Sequence, residues 1–268
     1  MVRKVFGIYG NDLNGKLFIE TAHNYIACSV VDSSSQQLNA FELFHFDAVD
    51  TASFEKLFGD IQLFSRLFTA QYSIVDLIWA NEKAVCVPAA YFDEALAVSM
   101  LETMHAVSPP VQFSVNKAED IVVVGYIPAD AFKVYAANFE VRSNEHKYFQ
   151  LIRGLSHGDH KHAAYVLFDH SDFTYVVRKD GQLQLIQTRA YKTSEDVLYH
   201  LLNSFRVFAI PTQEINIVAS GMIDDSSPLY KNLRSYFKHF AFQEMEASKF
   251  AAEGFNEHPL HYFASFCQ

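Results

Sequence analysis

The chain has 268 residues, half of them hydrophobic, and 21 Lys plus Arg against 31 Asp plus Glu leave a net charge of −10. This apolar content excludes disordered, collagen-like and low-complexity classes, and the acidic balance argues against nucleic acid, which selects a basic stripe. Glycine is scarce, 10 of 268 residues against a usual ~7%, so few positions suit the backbone loops that cradle phosphate.

Cys28, Cys86 and Cys267 are odd in number and far apart, with no C-x-x-C pair. That spacing fits neither a disulfide framework nor a cysteine zinc site, and it points to a reducing, cytoplasmic setting. The start, MVRKVFGIYGNDL, is basic, but Asn11 and Asp12 interrupt the apolar core of a signal peptide. No apolar run approaches the ~20 residues of a membrane span, and no Lys/Arg cluster suits anionic lipid, so no membrane insertion is expected.

Along the chain, residues 16–21 (KLFIET), 24–31 (NYIACSVV) and 37–46 (QLNAFELFHF) predict three strands, with Ser33–Ser35 as the turn between the last two. Thr51 can cap a following helix whose Phe54, Leu57, Phe58, Ile61 and Phe64 recur at helical spacing. Residues 72–80 (YSIVDLIWA) predict a strand. After them come a strand at 83–89, a helix from Phe92 to Met104, a break at 108–111, a buried strand at 120–127 and a helix from Pro128 through Asn138.

From residue 163 the order begins again. AAYVLFD (163–169), FTYVVRK (173–179) and QLQLIQTRA (182–190) predict strands, and Asp180-Gly181 is a two-residue hairpin signal. Thr193 or Ser194 caps a helix with Glu195 and Asp196 in its first turn and Val197, Leu198, Leu201, Leu202, Phe205 and Phe208 on its apolar face. A strand at 214–220 follows, then a helix opened by Ser227-Pro228. The copies keep a near-constant spacing: Leu17 matches Ala163, Leu38 matches Leu183, Thr51 matches Ser194 and Tyr72 matches Glu214. The reading is an internally duplicated α/β chain of mixed sheets. Its first half covers 1–155 with an inserted subdomain at about 81–150, its second half covers 163–268, and SHGDHKH (156–162) links them.

The run TRAYKTSEDVLYHLL (188–202), NSF at 203–205, INIVASGMIDDSSPLYKNLRSYF (215–237) and the closing HPLHYF (258–263) resemble an uncharacterised Bacteroidetes domain family with the actin-like ATPase fold. Actin, Hsp70 and the sugar kinases share that fold. The resemblance implies two domains facing a cleft, and no assigned activity comes with it. Active members of the superfamily place an Asp-x-Gly turn after the first strand of each copy and paired glycines at the adenosine turn. Here the first turn reads Ile19-Glu20-Thr21-Ala22-His23-Asn24 and the second Phe168-Asp169-His170-Ser171-Asp172, neither with a glycine. The adenosine turn reads Ala219-Ser220-Gly221-Met222, with one. Glu20, Asp169 and Gly221 are therefore the candidate ligand residues. The alternative reading makes them ordinary strand-end and turn residues.

Other patterns carry less chemistry. Gly10–Leu17 nearly matches a phosphate-binding loop, but Leu17 lacks the magnesium-binding hydroxyl and the next residues read as strand. His157, His160 and His162 offer imidazoles to a metal or form a solvated linker. Asp224-Asp225 precede a helix start, where negative charge suits the dipole. The aromatic stretch from Phe255 to Phe266 predicts a docked terminus or an exposed segment for a partner. No nucleophile elbow or metalloprotease motif occurs. The balance falls against catalysis: a binding or assembly module with a protein partner and no cofactor, the alternative being a diverged Mg-ATP protein.

Overall fold

The computed structural model describes residues 2–11, 13–47, 54–68, 72–154 and 160–267. Thr51 and residues 156–159, including His157, lie outside them. The chain forms two compact units. The first holds Met1–Gln150, Ser248–Phe255 and Cys267, and the second holds Leu151–Ala247 and Asn256–Phe266 with Gln268.

The first unit opens with β1 (Arg3–Tyr9), which the sequence reading leaves unassigned. Then come β2 (Lys16–Thr21), β3 (Tyr25–Val31), β4 (Leu38–His45), α1 (Phe54–Phe64) and β5 (Ile74–Trp79). Asp32 accepts from the backbone N–H groups of Ser34 and Ser35, and this Asx-type turn carries the chain out of β3. β2, β3 and β4 form an antiparallel meander, and β5 returns through α1 to lie parallel to β2. A parallel return needs a crossover, and α1 supplies it with Phe54, Leu57, Phe58 and Ile61 buried on one face.

After β5 the chain builds a small antiparallel sheet of β6 (Ala84–Pro88), β7 (Gln112–Ala118) and β8 (Ile121–Ile127). The helix expected over 92–104 starts later, as α2 (Ala97–His105). Asp93 is extended and its side chain accepts from the Ala95 N–H, which opens a short 3-10 turn ahead of α2. Ala97, Leu101, Val107, Val122 and Val124 make a separate small core here. α3 (Ala129–Asn138) and β9 (Glu140–His146) then bring the chain back, with β9 parallel to β5. The large sheet runs β1-β4-β3-β2-β5-β9.

β9 (EVRSNEH) shows no apolar alternation, so the sequence gives no strand signal. Its tie is polar. The half-exposed Arg142 donates to the buried Asp76 of β5 through Nε at 2.9 Å, and Ser143 Oγ donates to the same carboxylate at 2.7 Å. β1 is held in a comparable way. Buried Glu42 on β4 accepts from Lys4 Nζ at 2.6 Å, from the Tyr9 and Ser65 hydroxyls and from the Arg66 N–H at 2.9 Å.

α4 (Lys147–Gly154) passes from one unit into the next. The second unit then repeats the plan: β10 (His162–Phe168), β11 (Asp172–Lys179), β12 (Gln182–Ala190), α5 (Ser194–Val207), β13 (Asn216–Gly221), α6 (Pro228–Tyr236) and β14 (His239–Phe242). Its sheet runs β12-β11-β10-β13-β14, the order β4-β3-β2-β5-β9 of the first unit. The turn after β11 has positive φ at Asp180 (51°) and Gly181 (76°), as a tight right-twisted hairpin requires. α5 opens with a Thr193–Asp196 capping box, and Ser227 Oγ accepts from the Tyr230 N–H to cap α6. Between helices and sheet lies a core that includes Phe168, Phe173, Tyr175, Leu201, Phe205, Phe237 and Phe240. The closing segment is docked, with Phe255 and Phe263 fully buried.

Phe173 stacks between Phe168 and Tyr175, with ring centroids at 6.1 and 5.3 Å. Phe173→Ala is expected to cost about 3–5 kcal/mol in chemical denaturation. Exposed Tyr199→Ala is expected to stay within about 0.5 kcal/mol of the parent.

Candidate functional site

In the first unit β2 ends in a closed turn. The Ala22 N–H donates to the Tyr25 carbonyl at 2.9 Å, leaving His23 and Asn24 as a two-residue loop. Glu20 lies two residues before that turn, and its carboxylate is buried. Tyr25 Oη donates to Glu20 Oε1 at 2.6 Å, and the Lys147 ammonium forms an ion pair with Oε2. The Glu20 and Lys147 side chains are 1% and 4% exposed, so each charge has its counter-ion at hand in a dry setting. Beside them, Thr21 Oγ1 shares a 2.8 Å hydrogen bond with the buried Tyr135 hydroxyl.

In the second unit the Asp169 N–H donates to the Asp172 carbonyl at 2.8 Å, leaving His170 and Ser171 as the loop. The Tyr191 hydroxyl donates to the Asp169 carbonyl at 3.2 Å. Burial first, then the charges of Asp169 and Asp172, push the Tyr191 phenol up to about 12. Gly221 ends β13 with φ +79°, where an added Cβ would stand 2.1 Å from the Phe168 carbonyl oxygen. This is a position only glycine fills without strain. The next N–H, of Met222, donates to that same carbonyl at 2.7 Å.

These hydrogen bonds set the correspondence between the copies. Thr21 accepts from the Ala80 N–H at 2.8 Å as Phe168 accepts from Met222. Thr21 thus matches Phe168, and Ala22 matches Asp169. Glu20 corresponds to Leu167, two residues from where the sequence alignment of the turns sets it. Asp169 therefore corresponds to Ala22 and not to Glu20. The candidates divide between the units, Glu20 in the first and Asp169 with Gly221 in the second.

Neither turn carries a glycine. Each turn closes on two residues, and its first N–H, of Ala22 or Asp169, is spent inside the hairpin. Glu20 already holds a lysine ammonium. What the first unit offers beside its turn is a pocket of about 280 Å³. Phe46, Phe54 and Leu57 supply apolar lining, and His23, Lys83 and Tyr126 are among the polar and aromatic residues around it. The Lys83 ammonium lies 5.3 Å from the Tyr126 ring centroid, a cation–π contact.

Sequence reasoning missed Lys147, Tyr25 and the pocket residues. Lys147 lies far along the chain from Glu20, and nothing in HKYFQL marks a buried lysine. Its neighbour His146, at the end of β9, is fully buried. The Tyr148 N–H donates to His146 Nδ1 at 3.2 Å, so the ring proton sits on Nε2 and faces the Asn81 carbonyl at 3.0 Å. Burial, with smaller contributions from His105 and Lys147, lowers this imidazole to about 3, and it is neutral. Gly125 makes the room, since a Cβ there would stand 2.6 Å from His146 Cβ.

Of the histidine cluster, His160 is exposed and lines a second-unit pocket of about 290 Å³ with Arg178, Asn216 and Gln243. His162 is buried at the start of β10. Among the described residues no three His, Cys, Asp or Glu side chains converge as a metal site. Asp224 accepts from the Ser226 N–H at 2.9 Å, a turn role.

A model of one protein family matches residues 9–240. The chain belongs to DUF3822, a family described as proteins of unknown function. No curated protein matches this DUF3822 chain. Among solved structures it is similar to a Bacteroides thetaiotaomicron protein described as having an actin-like ATPase fold and unknown function. The two are 17% identical with a TM-score of 0.69, covering 85% of this chain and 90% of the other. The PilM–PilN type IV pilus biogenesis complex matches at 12% identity and TM-score 0.60, over 96% of this chain and 98% of that one. The ethanolamine utilization protein EutJ of Carboxydothermus hydrogenoformans matches at 8% and 0.54, over 97% and 90%. These likenesses establish the actin-like ATPase fold for the DUF3822 chain. No helix among the described residues is long and apolar enough to cross a membrane.

Two outcomes follow for this site. Lys147→Met leaves a buried carboxylate without its counter-ion and is expected to cost about 3–5 kcal/mol, and adding Glu20→Gln is expected to return part of the loss. The second outcome concerns His146. Below about pH 6.5 the unfolded state takes up a proton that folded His146 refuses until about 3, so stability falls with acidification through that window. The His146 contribution at pH 4 is about 3 kcal/mol, and His146→Gln is expected to flatten the denaturation midpoint between pH 6.5 and 4.

Proposed function

We propose that this DUF3822 protein is a non-catalytic binding or assembly module built on a degenerate actin-like fold, and that its partner is a protein. The observation that carries the reading is the Lys147–Glu20 pair beside a two-residue turn. The Glu20 carboxylate of β2 is neutralised from within the chain, and Ala22 stands where the second copy has Asp169. A protein partner accords with the PilM–PilN complex among the structural neighbours, an analogy of fold. Cys28, Cys86 and Cys267 are free thiols, which supports a cytoplasmic location.

The second reading is a diverged Mg-ATP protein. It is favoured by Asp169, which stays at the end of β10, and by Gly221, which keeps its left-handed conformation. Thermal unfolding with and without millimolar Mg-ATP separates the two. Ligand at a hundred times its dissociation constant adds ~2.7 kcal/mol, several degrees for a chain of this size. No shift is expected. A shift that Asp169→Ala abolishes would establish Mg-ATP binding and with it the second reading.

A further inference from the structure

The pocket beside the first turn lies wholly within the first unit, and its walls have two origins. Phe46, just past β4, and Phe54 and Leu57 of α1 belong to the core of the large sheet. Glu82 and Lys83 stand just before β6, and Tyr126 lies on β8, so these three come from the small sheet. Lys83 is fixed in place by the fold itself. Its N–H donates to Asn81 Oδ1 at 2.9 Å, and its carbonyl accepts from the Tyr126 N–H at 2.9 Å. Asn81 Nδ2 closes the set by donating to the Tyr126 carbonyl at 3.1 Å. The Lys83 ammonium then rests on the Tyr126 ring. Among the described residues, neither that ammonium nor the exposed Glu82 carboxylate has an ion-pair or hydrogen-bond partner. Asp130, the other acid of the lining, lies 3.8 Å from Lys133. One cation and one anion without a protein partner thus stand beside an aromatic-walled pocket.

We propose that this pocket binds a free α-amino acid with an aromatic side chain. Its carboxylate meets Lys83, its ammonium meets Glu82, and its ring packs against Phe46, Phe54 and Leu57. Charge selects the head group. A simple anion would face Glu82 and a simple amine would face Lys83, whereas a zwitterion pairs with both. The walls select the side chain, since aromatic rings favour edge and offset contacts with one another. Volume sets the size. An apolar cavity of about 150 Å³ holds benzene, so about 280 Å³ holds roughly twelve heavy atoms, the size of phenylalanine. Lys83 is already ordered by Asn81 and Tyr126, which lowers the entropy lost on binding. The site uses neither Glu20 nor Asp169, and it stands whether or not a nucleotide or a protein partner binds.

Isothermal titration calorimetry of the full chain tests the assignment with three probes: L-phenylalanine, phenylpropanoate, which lacks the ammonium, and phenethylamine, which lacks the carboxylate. Saturable one-to-one binding of L-phenylalanine is expected, with each single-charge analogue weaker by about tenfold or more. Lys83→Met is expected to weaken L-phenylalanine by a similar factor, with circular dichroism and thermal midpoint reporting intact folding, and Lys83→Arg to keep most of the affinity. Glu82→Gln is expected to remove the preference for L-phenylalanine over phenylpropanoate. No binding at millimolar L-phenylalanine overturns the proposal. So does binding that Lys83→Met leaves unchanged, or analogues that bind as tightly as L-phenylalanine.

Discussion

Each unit is organised around a strand gripped from both sides. β2 pairs antiparallel with β3 and parallel with β5, and β10 does the same with β11 and β13. A central strand of this kind has no free edge, and helices must cover the crossover that the parallel neighbour demands. The remaining elements follow from that requirement. α1 and α5 make the crossovers, and their apolar faces complete the two principal cores. The turn at the end of the central strand sits where the next parallel strand also ends. That is why the Thr21 and Phe168 carbonyls receive backbone N–H groups from just beyond β5 and β13.

This placement explains why the turns decide what the fold can do. A loop that holds phosphate presents several N–H groups to the ligand. A two-residue hairpin spends the N–H of its flanking residue to close the ladder. Both copies close on two residues, and neither turn holds a glycine. Gly221 survives for a backbone reason, the proximity of the Phe168 carbonyl.

Electrostatics reinforces the rigidity of the first unit. Glu20 and Glu42 are both buried, and each has a lysine and a tyrosine hydroxyl as partners. Buried carboxylates with full sets of donors specify geometry more than they add stability. The Glu42 set docks β1 and the end of α1, and the Glu20 set joins β2 to the start of α4. His146, neutral and enclosed against Gly125, lies beside the second of these.

The duplicated strand–strand–strand–helix–strand order was legible in the chain because its elements bury one face each and so carry a period. β12 and the starts of α5 and α6 coincide with their predicted positions because hairpin and capping residues are local signals. β9 escaped notice because its attachment is polar and distant, through Asp76, and β14 because four residues cannot show a period. The family resemblance anticipated the actin-like fold, which no single periodicity names. Lys147 against Glu20 and the two-residue shift between the turns have no local signature. Each depends on which distant residue a side chain or backbone group meets. The sequence alone determined the periodic and capped elements and their repetition, since periodicity and caps act within a few residues. Tertiary structure alone decided which carboxylates are free, because charge pairing and burial are properties of neighbours in space.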